Sequence, residues 1–250
     1  MGLLTKLAPD ANVAVADERD SVGSGGVLET GLYNTTVNLA YLMKSTGGAV
    51  GLVLHLKTDT QREIRQTLWV ASGDAKGNKT YFEQKDGTKS YLPGYNHANS
   101  LALLTVGKEL SQLETETRVV NVWDTNVKAE TPQKVECPVE LIGQEIIVGL
   151  IKQTVDKNVK TDAGTYVPSG EFRDENEIDK FFRSKDRMTT AEIKAEATEP
   201  TFIKTWADKW NGTTRDKRAK QSGAAGAPGG TKLTPVGGTA FKKPTGTLFG

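Results

Sequence analysis

The chain is poor in the residues that most catalytic chemistry needs, with one cysteine and two histidines among its 250 residues. Cys137 alone excludes an intramolecular disulfide, and His55 and His97 cannot complete a zinc site of accepted spacing. With Pro138 after it and Val135 and Val139 nearby, Cys137 reads as a half-buried small hydrophobe rather than a nucleophile. Long apolar runs are also lacking. No window approaches the roughly eighteen apolar residues of a membrane span, and the first residues lack the apolar core of a signal peptide. The expectation is a soluble, intracellular protein with no membrane association. No phosphate-binding loop exists either, because Gly107-Lys108 lacks the preceding glycine and the following hydroxyl residue.

Acidic side chains do not assemble a convincing catalytic pattern. Residues 171–179 hold five carboxylates, but Arg173 and Lys180 accompany them and the spacing is irregular. Asp186 with Glu192-Ile-Lys194 imitates a metal nuclease, in which carboxylates and a lysine sit on strands. Here Thr189-Thr-Ala-Glu192 is a capping box, a threonine with a glutamate three residues on, which makes the segment helical. The expectation is therefore no enzyme, with no catalytic residue, metal or cofactor.

Neither charge sign is in excess overall: 32 basic side chains face 31 acidic ones. The distribution is uneven, however. Residues 212–250 carry seven Lys or Arg and one acid, a net of +6, which leaves −5 for residues 1–211. Nine glycines in that same stretch, with few aliphatics, cannot bury enough surface to fold. The expected organisation is a flexible N-terminal segment over 1–30, one folded domain over 31–211, and a disordered, basic, glycine-rich tail over 212–250.

What is abundant between these ends is alternation. Tyr33, Val37, Leu39, Tyr41 and Met43 fall on one face of a strand, and Thr46-Gly-Gly48 supplies a turn. Val50, Leu52, Leu54 and Leu56 then mark a second strand. A third runs over 63–71, with Ile64, Leu68 and Val70 on one face and Arg65, Thr67 and Trp69 on the other. Asp86-Gly87 signals a hairpin with arms at 79–84 and 89–92. Asn96 is placed to cap a helix through about Leu110, and strands follow at 118–123 and 144–155. A polar loop over 156–170 precedes the segment 171–183. Two C-terminal helices open at Thr189 and Pro200, the latter carrying Phe202, Trp206 and Trp210 on one stripe. The fold class is mainly β with a few helices. A meander, a helix after the third strand and further strands give the order of an OB-type five-stranded barrel, with a hairpin excursion and C-terminal helices; a split sandwich gives a similar string.

Trp69 shares its strand face with Arg65, opposite a face already filled by aliphatics. It reads either as a residue packed under the 73–96 excursion or as a stacking platform for a base. The excursion favours the platform. Lys76, Lys79, Tyr81, Phe82, Lys85, Lys89, Tyr91 and Tyr95 interleave cations with rings, as a single-strand groove needs for phosphates and bases. About half of those tyrosines are expected to fold back on the core, because alternate hairpin residues face inward. The candidate DNA-binding set is Arg65, Trp69, Lys76, Lys79, Tyr81, Phe82, Lys89, Tyr91 and Tyr95. Lys152, Lys157 and Lys160 form a weaker second patch that a solvated face explains.

Five blocks carry a resemblance: Gly31-Leu-Tyr33, Thr67-Leu-Trp-Val70, Tyr91-Leu-Pro-Gly-Tyr-Asn96, Leu104-Thr-Val-Gly-Lys-Glu109 and Gln153-Thr-Val-Asp-Lys-Asn158. Over about residues 30–212 the chain resembles single-stranded DNA-binding proteins of tailed bacteriophages. That resemblance implies an OB-type core, a role in phage DNA replication and recombination, the cytoplasm of the bacterial host, and no catalysis. It reaches Trp69, Tyr91 and Tyr95 only as members of matching blocks. Many proteins of this kind end in an acidic tail that recruits partners, whereas this tail is basic. Residues 215–220 read as a solvated helix end or as an arm that adds DNA affinity, and the terminal Leu248-Phe249 as a frayed end, slightly favoured, or as a tethered motif that docks on replication or recombination proteins. The alternative to DNA binding is a non-enzymatic virion structural or assembly protein, and the third reading is a metal-dependent nuclease.

Overall fold

The computed structural model describes residues 26–124, 127–162 and 165–218. It is mainly β. In chain order the strands are β1 (Gly31–Lys44), β2 (Val50–Thr58), β3 (Glu63–Ala71), β4 (Tyr81–Glu83), β5 (Lys89–Tyr91), β6 (Thr115–Asp124), β7 (Ala129–Pro138), β8 (Glu145–Lys160), β9 (Tyr166–Arg183) and β10 (Thr214–Asp216). Helices α1 (Pro93–Thr105), α2 (Thr190–Lys194) and α3 (Phe202–Trp210) complete the set.

β1, β2 and β3 form the expected antiparallel meander, and β8 pairs with the free side of β1. β9 returns antiparallel along β8, and β10 adds a short parallel pairing to β8. The main path is thus β3-β2-β1-β8-β9. No backbone pairing joins β3 to β9 among the described residues, so the closed barrel expected from the sequence is not found. Across that gap the Ile178 N–H donates to the Gln66 side-chain oxygen at 2.6 Å.

The inner face of this sheet is apolar because alternate residues of β2 and β3 are aliphatic. Leu52, Leu54, Leu56, Ile64 and Leu68 bury against Val148 and Leu150 of β8 and against Ala98, Leu101 and Leu104 of α1. Each such aliphatic contributes about 1.5–3 kcal/mol of burial. The outer face is covered in two places. α3 lays Ile203 and Trp206 on Ile147, Ile151 and Phe182, and the β6–β7 hairpin covers Tyr41 and Val53 with Cys137 of β7. What this leaves open is the β3 end of the outer face, at Trp69, which is 43% exposed.

Several sequence expectations change. The register of β1 shifts between Val37 and Leu39, so Val37 points into the core while Leu39, Tyr41 and Met43 turn to the outer face. α1 starts at Pro93, where a missing N–H costs nothing, and Asn96 lies inside the helix rather than capping it. Cys137 is fully buried, on a strand that the sequence did not announce. Residues 156–160 and 166–170, expected as loop, extend the β8–β9 ribbon beyond the body. Both faces of that ribbon meet solvent, and it exposes Val159, Tyr166 and Val167 beside its polar residues although its backbone is paired. Segment 26–30 is tied down: the Leu28 N–H donates to Asn176 Oδ1, and Asn176 Nδ2 donates to the Leu28 carbonyl, both at 2.8 Å. Residues 212–218, assigned to the tail by composition, also join the fold. The Gly212 N–H donates to the Thr30 carbonyl at 3.0 Å, and Arg215 bridges Asp179 and Glu177. The flexible segment expected over 1–25 and the tail over 219–250 lie outside the described residues. No described helix is long and apolar enough to cross a membrane.

Candidate functional site

The open end of the outer face is built from β3 upward. Strand alternation sends Leu68 and Val70 inward and Trp69 outward. Directly across the β2–β3 ladder from Trp69 lies Gly51. A Cβ at position 51 would stand 3.2 Å from the indole, so the ring lies over a place where the sheet has no side chain. Gly94 fixes the Trp69 backbone from the other side, since a Cβ there would stand 2.3 Å from the Trp69 carbonyl oxygen.

The excursion between β3 and α1 folds back beside this ring. The Asp74 N–H donates to the Gly47 carbonyl at 2.9 Å, which pins the excursion to the β1–β2 turn. Asp86 Oδ1 accepts from the Thr88 N–H and hydroxyl, and Gly87 takes the left-handed conformation at φ 81°, closing the β4–β5 hairpin as Asp-Gly predicts. The result is a groove of about 550 Å³ lined by Trp69, Lys76, Lys79, Tyr81 and Phe82, with Glu83 at its edge. The Tyr81 ring carries Lys89 Nζ at 5.1 Å and Lys79 Nζ at 5.8 Å from its centroid. Tyr91, opposite Tyr81 in the hairpin register, stacks on Tyr95 at 4.8 Å with planes 20° apart. Tyr95 packs on the main core, and burial pushes its hydroxyl pKa up, with Tyr91 and Glu109 adding to the effect. Tyr95 is thus a support for Tyr91, which is 54% exposed.

The lysines of this groove differ from two of the 152–160 patch. Among the described residues Lys76, Lys79 and Lys89 make no ion pair, whereas Lys152 pairs with Glu29 at 2.8 Å and Lys157 with Glu171 at 2.9 Å. Carboxylates therefore already engage two members of the 152–160 patch. Arg65 departs from the expected set. Its guanidinium donates to the Tyr41 hydroxyl at 3.2 Å and stands 3.6 Å from Glu130, so it holds the tip of the β6–β7 hairpin on β3. The nuclease-like carboxylates are also engaged. Asp186 accepts from Arg183, and Glu192 caps both short helices through the N–H groups of Thr189 at 2.9 Å and Phe202 at 2.7 Å. No group of three or more potential metal ligands occurs among the described residues.

The sequence reading passes over Trp123. It sits near the end of β6, 52% exposed, above a second groove of about 740 Å³ that also includes Met43, Lys44, Val50 and Lys134. Its signal is there to be read: in Val119-Val-Asn-Val-Trp123 the even residues pack inward, which leaves the indole on the other face. Comparison with known proteins finds no matching family and no curated relative for this chain.

Proposed function

We propose that this protein binds single-stranded DNA with little sequence preference, in the groove formed by Trp69 and the β4–β5 excursion. The observation that carries the reading is the meeting of exposed rings with unpaired cations. Trp69 and Phe82 offer exposed π faces beside the half-buried Tyr81, and Lys76, Lys79 and Lys89 supply ammonium groups that make no ion pair among the described residues, with Glu83 in the same groove. Rings stack bases of any identity at about 1–3 kcal/mol each, and cations follow the phosphates. A double helix hides its base faces, so this combination favours single strands.

The scaffold supports the same reading as an open OB-type barrel. A β1-β2-β3 meander, a helix, and a returning pair with β8 beside β1 follow the OB order, in which the barrel is partly open and its second and third strands meet nucleic acid. On this view β4–β5 and β6–β7 are insertions between the third and fourth barrel strands. The resemblance of the sequence blocks to phage single-stranded DNA-binding proteins supports the same reading, with a role in phage DNA replication and recombination. Titrating the full chain with oligo-dT at low salt tests it. Tryptophan emission should quench on binding, and affinity should fall as salt rises. Unchanged emission and no complex at about 50 mM salt would refute it.

A further inference from the structure

We infer that the β6–β7 hairpin is the second wall of the same strand track, with Trp123 as a second base-stacking platform. The inference rests on the single-stranded DNA reading and extends it beyond the Trp69 groove.

The β-sheet register sets the geometry. On the outer face Met43 pairs with Gly51, and Gly51 pairs with Trp69, so these three form one row across β1, β2 and β3. Tyr41, Val53 and Thr67 form the adjacent row, and the hairpin lies over Tyr41 and Val53. Its tip is held at Arg65 on β3 by Glu130, the residue opposite Trp123 in the hairpin register. Arg65 and Trp69 are four residues apart on one strand face, about 13 Å along β3. The hairpin therefore crosses the sheet beside the Met43–Gly51–Trp69 row and leaves that row as a floor.

The two grooves reach neighbouring positions of the chain at the start of β2. The Trp69 groove includes Ala49 and the Trp123 groove includes Val50, consecutive residues where β2 begins. Gly51 keeps the floor low between them, because any side chain there would run into Trp69 and Thr67. Lys44 and Lys134 line the second groove together with Asp124 and Glu136, and neither lysine makes an ion pair among the described residues. Like the first groove, which Glu83 also lines, the second sets an exposed indole beside both lysines and carboxylates. A strand leaving Trp69 would cross Gly51 and Met43 and reach Trp123.

Oligonucleotide length separates the two platforms. Oligo-dT of about five nucleotides should occupy one groove and of about fifteen both, within the usual range for an OB-type site. Trp123→Ala should leave the short oligonucleotide at wild-type affinity and weaken the long one about tenfold, while Trp123→Phe keeps wild-type binding of both. In a Trp69→Phe background, the long oligonucleotide should quench emission and the short one should not. Equal affinity of Trp123→Ala and wild type for the long oligonucleotide, or equal weakening for both lengths, would overturn the inference. Failure of the wild type to bind either length would instead remove the reading on which it rests.

Discussion

Gly94 of α1 lies against the backbone of Trp69, at a distance that no side chain on residue 94 could tolerate. This contact connects the folded interior to the candidate binding surface, because α1 presses on one side of β3 and the indole leaves from the other. Gly94→Ala should push α1 off β3, costing about 1–3 kcal/mol of stability as overpacking does. Oligo-dT affinity should fall with it. Denaturant unfolding and a binding titration on the same variant measure both.

The unpaired lysines should appear in the salt dependence. Each phosphate contact on a single strand contributes roughly 0.7 to the slope of log affinity against log salt. Replacing Lys76, Lys79 and Lys89 by glutamine should lower that slope by about 2. Replacing Lys152 and Lys157 should leave it nearly unchanged, since Glu29 and Glu171 already hold those ammonium groups.

His97 should make stability pH-dependent in a window of its own. Burial against Phe181 disfavours the charged ring and Lys180 repels it, so His97 titrates below its ordinary value of 6.5 despite Asp179 and Glu177. The unfolded chain takes up that proton first on acidification. Stability present above pH 6.5 is therefore lost as pH falls toward the depressed value. The hydrogen-bonded carboxyls Asp179, Asp186 and Glu192 titrate below their usual 3.8–4.5 and lose their contributions only at lower pH. Thermal midpoints between about pH 7 and pH 5 should fall for the wild type and stay nearly flat for His97→Gln.

Glu192 joins two helices at one carboxylate. Its burial alone would raise its pKa, but hydrogen bonds from Thr189, Phe202 and Thr201 more than offset that. Glu192→Ala removes the carboxylate half of the α2 capping box and the acceptor at the start of α3 together, and should cost about 1–2 kcal/mol in chemical unfolding, with oligo-dT affinity retained. A large loss of DNA affinity at unchanged stability would place Glu192 in the binding machinery instead.

Much of the sheet was legible because one of its faces is buried. Leu52, Leu54 and Leu56, like Ile64, Leu68 and Val70, alternate as the pleat demands, and Asp86-Gly87 and Thr189-Thr-Ala-Glu192 mark local geometry with short motifs. β7 was not legible: Pro132 and the exposed Glu130, Lys134 and Glu136 dilute its alternation, as befits a two-stranded hairpin with one wet face. The outer ribbon of β8 and β9 misled for a related reason, since a paired backbone with no buried face reads as a polar loop. Long-range pairing was the least visible. The exit of Arg65 from the groove depends on Glu130, which β6–β7 folding brings to it from 65 residues further along the chain. The outward face of Trp69, by contrast, followed from alternation alone.

The central claim is that the Trp69 ring stacks on single-stranded DNA, and one substitution tests it most directly. Trp69→Ala removes a ring that is 43% exposed and lies outside the buried clusters. Oligo-dT affinity should fall by about tenfold or more, consistent with roughly 1–3 kcal/mol per stacked base, while the thermal midpoint stays close to wild type. Wild-type affinity in a folded Trp69→Ala variant would contradict it.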